Sequence, residues 1–208
     1  MTARRIAATT AFASVLLVAG CAGAFRNPSY YSLSIAPELK PGLGASPHPV
    51  TIEVRQFETP AYLRQGRIVY REHPDQVGFY EYHRWAVDPG AAVTTAIVDS
   101  LRSSHSFSFV EPYDSHRRGD YLLTGRLDRL DEVDYEGQVK VEAKVSAELV
   151  NLRTGSVVWS GDATRTSNVD RRSVHSVVTE MSHALSGSIE QLLSGMEQQI
   201  PGGNLSSR

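Results

Sequence analysis

This sequence of 208 residues has a single cysteine, Cys21, and no second thiol with which it could pair. A disulfide framework within the chain is therefore excluded, although small exported proteins often depend on one. The chain also lacks any run of about 18 apolar residues after its first 20 positions. We therefore expect a folded domain without internal disulfides, and no membrane-spanning segment after the first 20 residues.

Motifs that carry catalytic or metal chemistry are missing as well. Seven histidines are present, but none follows an H-E-x-x-H pattern and no cysteine pair accompanies them, so a zinc site is not expected. No G-x-S-x-G elbow and no phosphate-binding loop occurs. His175 and His183, on the last predicted helix, are about two turns apart, which is too far for one metal ion. We therefore expect no enzyme activity, no metal and no cofactor.

Basic clusters with interleaved aromatic residues are also absent. The chain has 21 Lys and Arg against 23 Asp and Glu, and losing residues 1–20, with Arg4 and Arg5, would shift the net charge from −2 to −4. This mild acidity argues against nucleic acid as a partner. The acidic stretch 128–136 lacks the spacing of a calcium loop, and we interpret it as a solvated strand end and turn.

The N-terminus, in contrast, carries a specific signal. Two arginines precede a 13-residue apolar stretch, and the segment Leu17-Val18-Ala19-Gly20-Cys21 has the form of a lipobox. The apolar stretch is shorter than the roughly 20 residues that span a bilayer, so it indicates a removable secretory signal. We predict acylation of Cys21, because several acyl chains at about 0.8 kcal/mol per buried CH₂ hold a protein on a membrane. An ordinary cleaved signal with a chance cysteine is the alternative.

The lipobox also sets the expected boundaries. Residues 1–20 are predicted to be the cleaved signal peptide, 21–29 the lipidated N-terminus and tether, 30–197 a single α/β domain, and 198–208 a disordered tail. The tether from Ala22 to Ser29 reaches at most about 28 Å, which keeps the domain near its membrane. No aspartate follows Cys21 to retain the protein in the inner membrane. This favours the periplasmic face of the outer membrane, and the inner membrane stays open.

Period-two alternation predicts a series of strands. The clearest covers residues 139–149, where apolar and polar side chains alternate. The turn 151–155 then leads into residues 157–161, which predicts an antiparallel hairpin. Shorter strand patterns occupy residues 30–35, 50–55, 68–70, 79–87, 107–110 and 121–127.

Two helices complete the predicted domain. The first begins at Asp88-Pro89, an N-cap followed by proline, and continues to about Ser104. The second runs from Ser173 to about Glu197, with an apolar stripe that we expect to cover the sheet. A partner-binding amphipathic helix is the alternative for the second. The expected fold is α+β, a single two-layer domain with two helices packed on one face of a mostly antiparallel sheet.

Four groups of residues follow the lipobox in a recognisable order. They are Tyr30-Tyr31-Ser32-Leu33; Pro60-Ala61-Tyr62-Leu63 with Gln65, Ile68, Val69 and Arg71; Glu81-Tyr82-His83-Arg84-Trp85-Ala86 just before a helix; and the hairpin 149–159 before a long last helix. In this combination the mature chain resembles the ABC-type transport auxiliary lipoproteins.

The resemblance implies an accessory of a lipid-transport system of the mammalian-cell-entry type. In such systems an ABC permease and ATPase lie in the inner membrane, and a protein with mammalian-cell-entry domains bridges the periplasm. The lipoprotein is then expected to dock that bridge at the outer membrane as a non-catalytic adaptor. A lipoprotein that regulates a cell-wall or envelope-assembly enzyme is the alternative. The short tether argues against it, because reaching across the periplasm usually needs a long linker.

Tyr82, Arg84 and Trp85 are the candidate partner-binding residues. Tryptophan and arginine are favoured interface anchors, and alternating side chains could line an exposed strand face. The alternative is that Trp85 belongs to the core and Arg84 pairs with a carboxylate. An exposed edge strand that accepts a partner strand is a further docking route, but the sequence does not say which strand lies at the edge.

Overall fold

A computed structural model describes residues 26–39, 47–114, 119–135 and 137–199 of the chain. Within these ranges the chain forms eight strands, two α-helices and a short 3-10 helix at Leu63–Gln65. In chain order the elements are β1 (Ser29–Tyr31), β2 (His48–Val54), β3 (Arg67–Arg71), β4 (Gly78–Trp85), α1 (Pro89–Ser104), β5 (Phe107–Pro112), β6 (Tyr121–Val133), β7 (Lys140–Asn151), β8 (Val157–Asn168) and α2 (Val174–Glu197).

The strands form one open sheet that forks at β6. One side of β6 pairs along its length with β7, and β7 pairs in turn with β8. The other side pairs near its start with β2 and at its end with β3. Strand β5 lies beyond β2, while β4 and then β1 lie beyond β3. The long β6–β7 and β7–β8 pairs and the β3–β4 pair are antiparallel, whereas the remaining, shorter strand pairs are parallel. The predicted fold class, α+β with a mostly antiparallel sheet, is therefore confirmed.

The hairpin of β7 and β8 forms where the alternating pattern predicted it. Val141, Ala143, Val145 and Leu149 are buried on the face towards the helices. Asn151 closes the strand, because its side-chain oxygen accepts hydrogen bonds from the backbone N–H groups of the next turn, at 2.9 and 3.0 Å.

Both helices begin at the predicted residues, and both cover the sheet. Asp88 caps α1 by accepting a hydrogen bond from the Ala91 N–H at 3.0 Å, and Ser173 caps α2 by accepting one from the Ser176 N–H at 3.1 Å. The apolar stripe of α2 is buried, with Met181, Leu185, Ile189, Leu192 and Met196 at or near zero exposure. Each large side chain contributes about 1.5–3 kcal/mol of transfer free energy there. This finding removes the alternative of a free, partner-binding helix.

The first strand is shorter than the predicted span 30–35. Strand β1 ends at Tyr31, and the chain then lies along α2. The backbone N–H groups of Ser34 and Ala36 donate to the hydroxyls of Ser182 and Ser186 at 3.1 and 3.0 Å. These bonds replace ladder bonds that a longer strand would have made. The predicted signal peptide, Cys21 and residues 200–208 of the predicted tail lie outside the described residues.

Candidate functional site

The predicted tether enters the fold at one edge of the sheet. Strand β1 pairs only with β4 among the described strands, in parallel register. Arg26, the first described residue, lies over the ring of Tyr82, 5.4 Å from its centroid. Any anchor at Cys21 is therefore attached within five residues of the β1–β4 edge.

The three candidate partner-binding residues of β4 lie on opposite sides of this strand. Trp85 is 5% exposed and belongs to the hydrophobic core, so only Tyr82 and Arg84 remain on the surface. Consecutive residues of a strand point to opposite faces, so Arg84 points away from the core. In the described part of the chain no carboxylate forms an ion pair with Arg84.

The register of the strands places two further side chains next to Arg84. Tyr30 of β1 and Arg67 of β3 are its cross-strand partners, on either side. These three residues, which we call the Tyr30–Arg84–Arg67 row, lie on one face because directly paired residues share a face. Tyr30 is 64% exposed. The sequence analysis missed Tyr30 and Arg67 as site residues, because only the register of three separate strands brings them to Arg84.

A buried charge network lies further along the sheet, on β3, β6 and β7. The Asp131 carboxylate is fully buried, 2.5 Å from Nε of Arg71 and 3.5 Å from Nε of Arg129. Arg129 also donates to Glu142 at 2.8 Å. Burial raises the pKa of the Asp131 carboxyl, and the hydrogen bond and charge of Arg71 oppose that rise. The network fixes three strands to one another.

Glu132, the next residue, is held on the other face of β6. It is 7% exposed and accepts a hydrogen bond from the Tyr80 hydroxyl at 2.7 Å. Burial raises the pKa of the Glu132 carboxyl, and burial followed by this hydrogen bond raises the pKa of Tyr80. The Tyr80 ring contacts His83, whose Nδ1 lies 3.0 Å from the Tyr31 hydroxyl. These side chains join β1 and β4 to β6.

The interpretation of this acidic stretch as a solvated strand end is wrong for Asp131 and Glu132. Strand β6 does not end at residue 127, as predicted, but continues to Val133. Its register shifts between Leu127 and Arg129, where an extra residue enters the strand. Such a bulge changes the face to which each later side chain points, and it directs Asp131 towards Arg71 and Glu132 towards Tyr80. Both acids are buried because each face of β6 is covered at this point.

The opposite edge of the sheet is formed by β8. This strand of 12 residues pairs with β7 on one side, and no described strand pairs with its other side. Val157 and Val158, at its start, are 53% and 45% exposed. A shallow groove of about 570 Å³ lies on the sheet surface beside it. Its lining carries both signs of charge, from Arg55, Glu58, Arg126, Glu148 and Asp162.

The described ranges contain no group of three or more His, Cys, Asp or Glu side chains placed to hold a metal ion. Their helices all fall short of the length and hydrophobicity needed to cross a bilayer.

Comparison with known proteins gives a family and a fold. A model of the ABC-type transport auxiliary lipoprotein component matches residues 31–193. A crystal structure from Xanthomonas campestris aligns with a TM-score of 0.71 and 16% identity, over 82% of this chain and 97% of that one. A second, of an uncharacterized protein, aligns with a TM-score of 0.61 and 15% identity, over 85% and 100%. At these identities the likeness concerns the fold alone. No curated protein sequence matches. The family match covers most of the sequence, and the chain therefore belongs to the ABC-type transport auxiliary lipoproteins.

Proposed function

We propose that this lipoprotein is a non-catalytic adaptor of a mammalian-cell-entry-type ABC lipid-transport system. Acyl chains on Cys21 hold it at the periplasmic face of the outer membrane, and its folded domain docks the mammalian-cell-entry-domain protein that bridges the periplasm. The permease and ATPase are reached through that bridge. Family membership supports the link to ABC transport, and the lipobox supports the anchor.

The observation that carries the docking proposal is the free edge of β8. Exposed edge strands present unpaired N–H and C=O groups, and proteins usually protect them with lysine, proline, bulges or short length. Strand β8 has 12 residues and contains neither lysine nor proline, and its register shift against β7 lies at its start, at Val158. An edge of this kind is suited to receive an extended segment of a partner, which adds a strand through main-chain hydrogen bonds.

The position of β8 suits an adaptor. Strand β1, where the tether enters, and β8 lie at opposite edges of the path β1–β4–β3–β6–β7–β8. Five strand-to-strand steps of roughly 4.8 Å place the two edges on the order of 24 Å apart. The β8 edge is therefore accessible to a periplasmic protein while the tether holds the other edge.

Site-specific photo-crosslinking in intact cells tests the proposal. A photoreactive residue replaces Thr164, an exposed residue of β8, and in a matched control it replaces Thr95, an exposed residue of α1. We expect the mammalian-cell-entry-domain protein to be captured from position 164 and not from position 95, as identified by mass spectrometry.

Two outcomes would contradict the proposal. Equal capture from both positions would show no preference for the β8 edge. Capture of cell-wall synthases or hydrolases from position 164, without any transporter component, would favour the alternative of an envelope-enzyme regulator.

A further inference from the structure

The Tyr30–Arg84–Arg67 row contains two like charges directly opposite each other. Arg67 and Arg84 are register partners on β3 and β4, and like charges at such positions are destabilising. In the described part of the chain no carboxylate forms an ion pair with either guanidinium. Glu81, the only acidic residue of β4, lies next to Tyr82 and raises the pKa of that phenol. The pair of arginines is therefore suited to an anion from outside the chain.

Further basic and aromatic side chains surround the row. Arg26 stacks over Tyr82, and Tyr30 and Val87 are 64% and 56% exposed. Tyrosine rings are enriched at the level of lipid headgroups, and arginines near an anionic membrane are attracted to its phosphates. This mixture of exposed rings and unpaired guanidinium groups has the composition of a membrane-facing surface.

The length of chain outside the described residues limits where this surface can lie. Five residues separate Cys21 from Arg26 and nine separate it from Tyr30. Fully extended, they span at most about 18 and 32 Å. If the acyl chains of Cys21 are in a bilayer, the row lies within about 32 Å of that anchor and can reach the headgroups.

We propose that the Tyr30–Arg84–Arg67 row, together with Arg26 and Tyr82, docks on anionic phospholipid headgroups of the membrane that holds the acyl anchor. This inference rests on the anchor at Cys21 that the proposed function includes. Docking orients the domain on its β1 edge and directs the β8 edge away from the bilayer. It assigns Tyr82 and Arg84 to the membrane and leaves β8 for the protein partner.

The test uses the acylated protein, purified and reconstituted into vesicles. Because Cys21 is the only cysteine and is acylated, the substitution Val87→Cys supplies a single thiol beside the row for an environment-sensitive fluorophore. The substitution Phe109→Cys, on β5 at another edge and 64% exposed, gives the matched control label. Vesicles contain phosphatidylcholine alone or mixed with phosphatidylglycerol.

We expect the emission of the label at position 87 to shift to the blue in vesicles with phosphatidylglycerol, and the label at position 109 not to respond. Arg67→Gln or Arg84→Gln should each lower the docking equilibrium about fivefold, and the double variant about thirtyfold. Arg153→Gln, an exposed arginine of the β7–β8 turn, is the matched control and should leave it unchanged. Salt at 1 M, where the Debye length is about 3 Å, should reverse the shift.

The results separate this inference from the proposed function. If the protein floats with both vesicle types in a density gradient but the label at position 87 has the same emission in each, the inference alone is overturned. A shift that the arginine substitutions do not change would overturn it as well. Protein that floats with neither vesicle type lacks the anchor, which would overturn the proposed function and this inference together.

Discussion

At the scale of single residues, two consecutive acids show how this protein uses buried charge. Asp131 and Glu132 point to opposite faces of β6. Asp131 has its partner on the adjacent strand β3, and Glu132 has its partner on β4, the strand beyond β3. Asp131 is paired with Arg71, whereas Glu132 has the neutral hydroxyl of Tyr80. The first carboxylate is compensated by opposite charge, and the second only by a hydrogen bond. Removing the charge of Glu132 and removing the cation that faces Asp131 should therefore have opposite effects on stability.

Glu132→Gln should stabilise the protein at neutral pH. Burial raises the folded pKa of Glu132 above its ordinary value of 4.5, so the folded state binds this proton more tightly than the unfolded state. The resulting stability is complete below pH 4.5 and is lost as the pH rises through the folded pKa. The amide keeps an oxygen that can accept the Tyr80 hydrogen bond without a charge.

The free energy of unfolding, measured with urea at two pH values, checks this prediction. At pH 7 the variant should gain about 1.4 kcal/mol for each unit by which the folded pKa exceeds the ordinary value. Below pH 4 the two proteins should be equally stable. A constant difference at both pH values would mean that the charge of Glu132 is not responsible.

Arg71→Gln should destabilise the protein by about 3–5 kcal/mol, because it removes the cation paired with Asp131 and leaves that carboxylate with a poorly compensated charge in a fully buried site. Asp162→Asn is the matched control, since Asp162 pairs with Lys144 at 3.5 Å on the exposed face of the same sheet. That exposed pair should contribute about 0–1 kcal/mol. Equal losses in urea unfolding for the two variants would contradict the role of the buried network.

At the scale of elements, the three short strands at the tether edge carry an unfavourable feature. β1, β4 and β3 align Tyr30, Arg84 and Arg67 in one row, and the two arginines repel each other. A sheet selected for stability alone would place opposite charges at these positions. The proposed docking on anionic headgroups would account for the arrangement, because it needs both positive charges.

Arg67→Glu should therefore raise stability while it lowers membrane docking. The new carboxylate would face Arg84 across the strands, and an opposite-charge pair there contributes about 0.2–1 kcal/mol relative to a neutral pair. The free energy of unfolding should increase, and the fluorescence shift of the label at position 87 in anionic vesicles should be lost. A loss of stability together with docking would indicate that the substitution damages the fold instead.

At the scale of the whole molecule, the two proposals give different roles to two edges of the sheet. The β1 edge receives the tether, and the β8 edge is the longer one with a free side among the described strands. In the proposed function, tethering raises the effective concentration of the domain near its partner, so the β8 edge would not need high intrinsic affinity. Removing the anchor should accordingly leave the fold of the domain unchanged.

Cys21→Ser should abolish acylation without changing the folded domain. Labelling with a radioactive fatty acid should be lost, and the protein should leave the membrane fraction. The thermal unfolding midpoint of the domain should stay the same, because Cys21 lies before the first described contact of the chain, between Arg26 and Tyr82. Unchanged membrane fractionation and labelling would contradict the lipobox interpretation.

By itself, the sequence determined the elements and the family. Alternation placed the β7–β8 hairpin, and capping residues placed the starts of both helices, because these are local properties of neighbouring residues. The motif order identified the family, which the match over residues 31–193 confirms. The lipobox prediction for Cys21 stays a prediction, since it lies outside the described residues.

Only the tertiary structure decided how these elements meet. The bulge in β6 directed Asp131 towards Arg71 and Glu132 towards Tyr80, and hydroxyls on α2 ended β1 early. Strand register brought Arg67 opposite Arg84, placed Trp85 in the core and left β8 at an edge. These features depend on pairing between residues far apart in the chain, where a shift of one position reverses the face of every side chain. No local pattern carries that information.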